Sequence, residues 1–231
     1  SVAEKFNSEL GRKNFMLYTS ADSSLPNDER GRRNYRDAFT KEHWNGLEFI
    51  EAKGDRGGCQ TLQQLMGPRP IANNMSLGWK TTSVPTMEAV EMYYTKNGLP
   101  WEDDPETKDI DPYAYNAEAG TVNLHLYKEP RFYASVGYDR GTYEIDGKEI
   151  TLYLRGGELH GSTLKETDEY QSCTGYLCQK WIPKASTYSI PSNSFSFYYY
   201  AYPYLRLPEL YLSYAEADFE YNGSLSTQSL E

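Results

Sequence analysis

The pattern of hydrophobic and small residues in the middle of the chain predicts a small antiparallel sheet. After Pro130, aromatic and small side chains alternate, which places Phe132, Ala134 and Val136 on one face of a predicted strand. Residues 143–153 then read YEIDGKEITLY, with Asp-Gly at the centre. This pair favours a type I′ turn between two strands. We therefore predict a strand after Pro130 and a β-hairpin over 143–153.

Two helices are predicted from their end signals. Pro85 precedes a helix over 86–97 that Gly98 ends, and Pro208 begins a final helix that Gly223 ends. Apolar positions at helical spacing define the faces expected to pack inward. These positions are Met87, Val90 and Tyr94 in the first helix, with Ala89 and Tyr93 as further candidates, and Leu210, Tyr214, Ala217 and Tyr221 in the second.

The other stretches are mostly rich in Gly, Pro and polar residues, which is typical of loops. Near the N-terminus the pattern predicts a helix over 2–10 and a strand over 14–19, and residues 60–66 fit one or two helical turns. The arginines between 30 and 36 could bind a sugar, a carboxylate or a phosphate, but we interpret this polar and charged stretch as a solvated face or a contact with a partner. The predicted loops are 51–83 around that turn, 98–128, 155–170 and 185–203.

Four segments, in order along the chain, resemble motifs of the SusD/RagB family. They are PTMEAV at 85–90, YKEPRFYASVGYD at 127–139, GYLCQKW at 175–181 and LRLPELYLSYAEA at 205–217. The resemblance covers about residues 78–223 and implies a SusD-like fold. Such a fold is predominantly α-helical, with long irregular loops and a small β-hairpin or sheet.

The resemblance also implies how the chain is organised. Family members are considerably longer and begin with a lipoprotein signal and a tetratricopeptide-like helical part. We therefore expect the chain to be the C-terminal half of such a protein, without that helical part. We interpret 1–231 as a single domain fragment, in which 1–77 is a loop-rich variable part, 78–223 the family core and 224–231 a polar tail.

Composition narrows the possible partners. The net charge of −10 argues against nucleic acid, because phosphate contacts need a basic surface. No apolar run approaches the roughly 18 residues that a transmembrane helix needs. The chain has 22 tyrosines and 4 tryptophans. These rings combine an apolar face with a polar edge, which suits wet recognition surfaces, although they also fill loop-rich interiors.

No catalytic motif is present, and the chain is predicted not to be an enzyme. The three histidines are scattered, which disfavours a nucleophile–histidine system. Carboxylates lie in polar loops or in the first turns of helices, with no apolar pocket evident to raise a pKa. We therefore predict no catalytic residue and no cofactor.

A metal site is not predicted either. Aspartates at 103, 104, 109 and 111 could supply oxygen ligands for calcium, but the glycine and terminal glutamate of an EF-hand loop are missing. The odd number of cysteines, three, does not indicate a disulfide framework. Pairing of Cys173 with Cys178 across a short turn stays open, beside the interpretation of all three as free thiols.

The resemblance implies a function that composition does not reveal. It implies non-catalytic binding of a glycan or oligosaccharide nutrient at the surface of a Bacteroidetes cell, and delivery to a SusC-like, TonB-dependent transporter. It also implies an outer-membrane lipoprotein, held to the membrane only through a lipid anchor that this chain lacks. The alternatives are a fragment of a glycoside hydrolase acting on polysaccharide, and an architectural lid subunit without its own ligand.

Candidate glycan contacts are aromatic residues beside turns. Trp44, Trp79 and Trp101 lie next to Gly, Asn or Pro, where a ring is often exposed enough to stack on a sugar. Asn45 is the candidate polar partner, because an amide offers both a donor and an acceptor to hydroxyls. Trp181 is assigned to the scaffold instead. The competing interpretation is that loop tryptophans hold their loops against the core.

Overall fold

The structure is a computed structural model, which describes residues 15–19, 23–40, 48–67, 81–156, 158, 172–189 and 194–230. Its helices are α1 (Asn27–Thr40), α2 (Arg56–Met66), α3 (Met87–Glu91), α4 (Pro130–Ser135), α5 (Leu207–Asn222) and α6 (Thr227–Leu230), with a 3-10 helix over Asn123–His125. No helix within these ranges is long and apolar enough to cross a bilayer.

The strands of the described ranges form five two-stranded antiparallel sheets. Listed by pair, the strands are β1 (Phe49–Lys53) with β10 (Tyr202–Arg206), β2 (Tyr115–Asn116) with β3 (Thr121–Val122), β4 (Val136–Gly137) with β7 (Leu177–Cys178), β5 (Thr142–Ile145) with β6 (Lys148–Thr151), and β8 (Thr187–Ser189) with β9 (Ser194–Ser196). Two of these pairs, β1–β10 and β4–β7, join distant parts of the sequence.

The predicted hairpin at 143–153 is confirmed in strands β5 and β6. Its turn residues Asp146 and Gly147 have φ angles of 57° and 72°, the left-handed values that a type I′ turn requires. Tyr143, Ile145 and Leu152 are buried and form one core cluster with Leu177 and Ile182. The hairpin is therefore held to the rest of the fold by its buried side chains.

The strand predicted after Pro130 is wrong, because this segment begins as helix α4. Pro130 occupies the first turn of the helix, where its missing N–H costs no hydrogen bond. Only Val136 and Gly137 are extended, and they pair with β7. Phe132 and Val136 are buried in a second core cluster with Val90, Leu124 and Tyr176. Packing into this cluster overrides the local alternation of side chains.

Most of the arginine-rich stretch lies in helix α1. Arg36 is buried, with its Nε 3.1 Å from Oε2 of Glu144. Its Nη2 donates hydrogen bonds of 2.8 Å to the carbonyl oxygens of Glu144 and Ile182. The interpretation as a solvated face therefore fails at Arg36, whose partners lie more than a hundred positions away in the sequence.

The helix predicted over 86–97 ends early, at Glu91, and its inward face differs from the expectation. Val90 is buried and Tyr93 packs against the second core cluster, but Ala89 is exposed, and Met87 is 39% and Tyr94 46% exposed. Buried Lys128 donates hydrogen bonds from Nζ to the carbonyl oxygens of Glu91 and Tyr93. A cation at this place satisfies carbonyls that the end of the helix leaves without partners.

The final helix agrees with the prediction in its ends and in part of its face, because Leu210 and Tyr214 are half-buried but Ala217 is exposed. It runs from Leu207 to Asn222, and Gly223 follows with a φ of 70°. Leu207 is buried, whereas Tyr221 is 89% exposed. Near the N-terminus, the described residues 15–19 form no strand, contrary to the prediction for 14–19. The helix predicted over 2–10 lies outside the described residues.

Candidate functional site

Trp101, one of the candidate glycan contacts, is held on several sides by its own loop. Its indole Nε1 donates a 3.1 Å hydrogen bond to the carbonyl oxygen of Ile110. Its ring packs edge-on against Tyr127, with centroids 5.9 Å apart, and the Nζ of Lys128 lies 5.9 Å from the ring centroid. These contacts favour a role in holding the loop, and contact of Trp101 with a glycan stays a prediction.

The other candidates, Trp44, Asn45 and Trp79, lie outside the described residues. Their contact with a glycan also stays a prediction.

The contacts of Trp101 lead to a testable expectation. Trp101→Ala should lower the melting temperature of the chain, because it removes a partly buried ring and leaves the Ile110 carbonyl without this donor. Thermal unfolding followed by circular dichroism measures the shift. A variant with an unchanged melting temperature and lost glycan affinity would instead make Trp101 a stacking residue.

The acidic loop around Asp104 is organised by hydrogen bonds. The Asp104 carboxylate is buried and accepts hydrogen bonds from Thr95 Oγ1, from the Asn97 side chain and from the backbone N–H of Glu106. Hydrogen bonding to Thr95 and Glu106 lowers the pKa of Asp104. In the described ranges, no three His, Cys, Asp or Glu side chains are grouped so that they could hold a metal ion. All three cysteines are free thiols.

A cavity beside hairpin β2–β3 offers a better candidate site. Its volume is about 410 Å³, and we call it the Tyr115 cavity. The residues that line it are Tyr115, Thr121, Val122, His125, Asp139 and Arg155. They come from four separate places in the chain: the β2–β3 hairpin, the 3-10 helix after it, the end of the YKEPRFYASVGYD motif at 127–139, which we call the signature segment, and the loop after β6.

The β2–β3 hairpin positions Tyr115 at the rim of this cavity. Its turn is closed by Asn116, which accepts hydrogen bonds from Gly120 N at its backbone oxygen and from Ala119 N at its side chain. Gly120 has a φ of 70°, a left-handed value that glycine adopts without strain. The Tyr115 ring remains 58% exposed. A rigid turn therefore presents an aromatic side chain to solvent.

Arg155 and Asp139 form the charged wall of the cavity. Arg155 Nε donates a 2.8 Å hydrogen bond to Asp139 Oδ2, and its guanidinium carbon lies 5.3 Å from the centroid of the Tyr115 ring. Asp139 Oδ1 accepts a 3.0 Å hydrogen bond from the backbone N–H of Leu154. Hydrogen bonds to Tyr115 and to Asp139 raise the pKa of Arg155. This wall is therefore an ordered ion pair that lies against an exposed ring.

His125 and Thr121 are the buried residues among those that line this cavity. The Nδ1 of His125 is 2.7 Å from Thr121 Oγ1, and its Nε2 is 2.9 Å from the hydroxyl of Tyr176. Burial lowers the pKa of His125 to about 4, although the negative charge of Asp139 acts in the opposite direction. The imidazole is therefore neutral at physiological pH. Both ring nitrogens already have hydrogen-bond partners, which suits a structural group better than a general base.

The arrangement of the Tyr115 cavity suits a polyhydroxylated ligand. An exposed tyrosine ring offers an apolar face to the C–H side of a sugar. Carboxylate oxygens and guanidinium N–H groups beside it can accept from and donate to hydroxyl groups. A mostly preformed concavity with a few such polar groups is the usual form of a small-ligand site.

The sequence analysis did not identify this cavity, because it selected tryptophans beside turns as the aromatic glycan contacts and no tryptophan lines the cavity. Asp139 closes the signature YKEPRFYASVGYD, but its meeting with Arg155 depends on the fold of the intervening hairpin. Tyr115 lay in a segment predicted to be a loop and is instead placed by β2–β3. The available signal was the pair of tyrosines at 113 and 115 in a Pro- and Asp-rich stretch.

Solved structures with the same architecture define the class of protein. A structure described as BT4246 aligns with a TM-score of 0.68 and 20% sequence identity. The alignment covers 95% of this chain and 38% of the BT4246 chain. A SusD-like protein (BF3747) from Bacteroides fragilis NCTC 9343 aligns with a TM-score of 0.57 and 18% sequence identity. This alignment covers 94% of this chain and 39% of the BF3747 chain. The chain therefore has a SusD-like fold, as predicted, and spans less than half the length of these two proteins.

The family follows from the sequence of the chain itself. A model of the SusD family matches residues 47–230, which include the four motifs described above. The chain belongs to the SusD family. No curated protein sequence matches it.

Proposed function

We propose that the protein binds a glycan nutrient without altering it and passes the glycan to a SusC-like, TonB-dependent outer-membrane transporter. A surface location and a lipid anchor on the complete protein are parts of the same proposal. The observation that carries the proposal is the Tyr115 cavity in a chain whose residues 47–230 match the SusD family. The cavity joins an exposed ring to an ordered pair of hydrogen-bonding charges, which suits capture of a sugar.

The carboxylates of the protein favour binding over hydrolysis. A glycoside hydrolase needs a carboxylic acid with a raised pKa beside a second carboxylate. In the described part of the chain, each carboxyl group with a clearly shifted pKa has a lowered one. These groups are Glu29, Asp104, Glu106, Glu144, Glu158 and Asp218. Glu158, which lies near the Tyr115 cavity, has its pKa lowered mainly by a hydrogen bond from Arg140.

A glycan array followed by calorimetry tests the proposal. The array identifies the oligosaccharides that the chain retains, and a parallel assay for new reducing ends detects hydrolysis. The expected result is retention without new reducing ends. Release of new reducing ends by the purified chain would support the hydrolase alternative, and no retention of any glycan would support the architectural one.

Tyr115→Ala is expected to weaken binding of a retained glycan by about 1–3 kcal/mol, by analogy with the loss of an aromatic ring that stacks on a nucleobase. Because Tyr115 is 58% exposed, the variant should unfold at nearly the same temperature as the parent chain. Tyr113→Ala is the matched control, because Tyr113 is similarly exposed at 51% but does not line the cavity. Equal affinities of the two variants would place the binding surface elsewhere.

A further inference from the structure

A second cavity lies next to the Tyr115 cavity. It has a volume of about 410 Å³, and we call it the Tyr138 cavity. Helix α1 supplies Glu29, Arg32 and Arg33, the signature segment supplies Tyr133 and Tyr138, and hairpin β5–β6 supplies Thr142 and Glu149.

The two cavities are separated by one pair of rings. Tyr138 lines one cavity and His125 lines the other, and their ring centroids are 4.6 Å apart. The next residue after Tyr138 is Asp139, which forms part of the charged wall of the Tyr115 cavity. Each cavity is near the lower limit of the roughly 300–1,000 Å³ that is usual for ligand pockets. The linings of the two cavities therefore meet at this pair of rings.

The charges that line the two cavities balance. In the Tyr138 cavity, the Nε atoms of Arg32 and Arg33 lie 2.8 Å and 2.6 Å from the carboxylate oxygens of Glu29. Arg32 also lies 3.8 Å from Glu149, so this cavity has two positive and two negative groups. In the Tyr115 cavity, Arg155 is paired with Asp139. Because neither cavity has an excess of positive charge, neither is built to attract an acidic sugar.

Uncharged hydrogen-bonding groups are also present in the Tyr138 cavity. Burial raises the pKa of Tyr138, so its hydroxyl stays neutral and can both donate and accept. Thr142, the first residue of β5, is exposed and adds a second hydroxyl. These groups, together with the rings of Tyr133 and Tyr138, repeat the combination of aromatic and polar surface found in the Tyr115 cavity.

We propose that the Tyr138 cavity is a second subsite and that one uncharged, linear oligosaccharide occupies both cavities. The inference rests on the proposed function and extends it by naming the class of glycan and the second contact surface. One wall of this subsite is helix α1, which precedes the residues 47–230 that match the SusD family. The subsite therefore joins a segment outside the family match to the signature segment within it.

Calorimetric titration with oligosaccharides of increasing length tests the proposal. The probes are gluco-, manno- and xylo-oligosaccharides from monomer to hexamer, with oligogalacturonides of the same lengths as acidic counterparts. We expect the affinity for a neutral series to rise by about tenfold or more once the chain is long enough to reach both cavities, because the second binding event is then intramolecular. Oligogalacturonides are expected to bind more weakly than the neutral series.

Two paired variants assign that gain to the Tyr138 cavity. Thr142→Val is expected to lower affinity for the long probes by about fivefold, the usual effect of one lost hydrogen bond, and to leave the short probes unaffected. Thr151→Val is the matched control, because Thr151 is exposed and pairs with Thr142 across the hairpin but does not line the cavity. Circular dichroism checks that both variants keep the fold.

The possible outcomes separate this inference from the proposed function. If no probe binds and the glycan array is also empty, the proposed function fails, and the inference fails with it. If probes bind and Tyr115→Ala weakens them, but length brings no gain or the two threonine variants behave alike, only the second subsite is overturned. Preferential binding of oligogalacturonides would overturn the assignment to an uncharged glycan.

Discussion

Arg36→Ala is expected to lower the free energy of unfolding by about 3–5 kcal/mol, the usual cost of removing one partner from a buried ion pair. Arg36 is 1% exposed, and its removal would leave the carboxylate of Glu144 in the core without its closest ion-pair partner. The variant would also remove the donor to the carbonyl oxygens of Glu144 and Ile182. Urea unfolding followed by circular dichroism measures the change.

Arg33→Ala is the matched control for this prediction. Arg33 lies one turn earlier on the same helix and pairs with Glu29, but its side chain is 37% exposed. Loss of an exposed ion pair costs about 0–1 kcal/mol, because water and salt screen the charges. If Arg36→Ala is no more destabilising than Arg33→Ala, the buried pair does not anchor α1 to the hairpin.

The pH dependence of stability is expected to show the buried His125. Its pKa is about 6.5 in the unfolded chain and about 4 in the folded one, so the unfolded chain takes up the proton first as the pH falls. Stability contributed by the neutral imidazole is therefore complete above about pH 6.5 and is lost progressively down to about pH 4. Two and a half pKa units correspond to a loss of about 3 kcal/mol.

The interval between about pH 7 and about pH 5 isolates this effect, because ordinary carboxyl groups remain largely ionised there. About 2 kcal/mol of the loss should already appear at about pH 5. His125→Asn removes the titrating group, and its free energy of unfolding should change less than that of the parent chain over this interval. The same pH dependence in both proteins would show that His125 is not the group responsible.

Local sequence was sufficient for the features that depend on a few neighbouring residues. The turn at Asp146-Gly147 was predicted because few residue pairs adopt left-handed φ angles at both positions. The end of the last helix at Gly223 was predicted for the same reason. The order of four motifs was enough to expect a SusD-like fold, and the match over residues 47–230 confirms it.

The sequence was insufficient where a residue's environment is supplied by distant segments. Phe132 and Val136 alternate as in a strand, yet burial with Val90, Leu124 and Tyr176 places Phe132 in a helix. Arg36 looked like part of a solvated run, because Glu144 lies in another element. In each case long-range packing outweighs a local preference, since local propensities amount to less than about 1 kcal/mol per residue.

The candidate site was also decided by the tertiary structure. From the sequence alone, tryptophans beside turns were the natural candidates for contact with a sugar, but Trp101 makes contacts that hold its own loop. Tyr115, Asp139 and Arg155 share no local sequence pattern. They meet because hairpin β2–β3, the end of the signature segment and the loop after β6 lie together in the fold. The sequence by itself determined the family and the abundance of aromatic side chains. Only the tertiary structure decided which rings are exposed beside balanced charges, because exposure and charge pairing depend on contacts between segments distant in sequence.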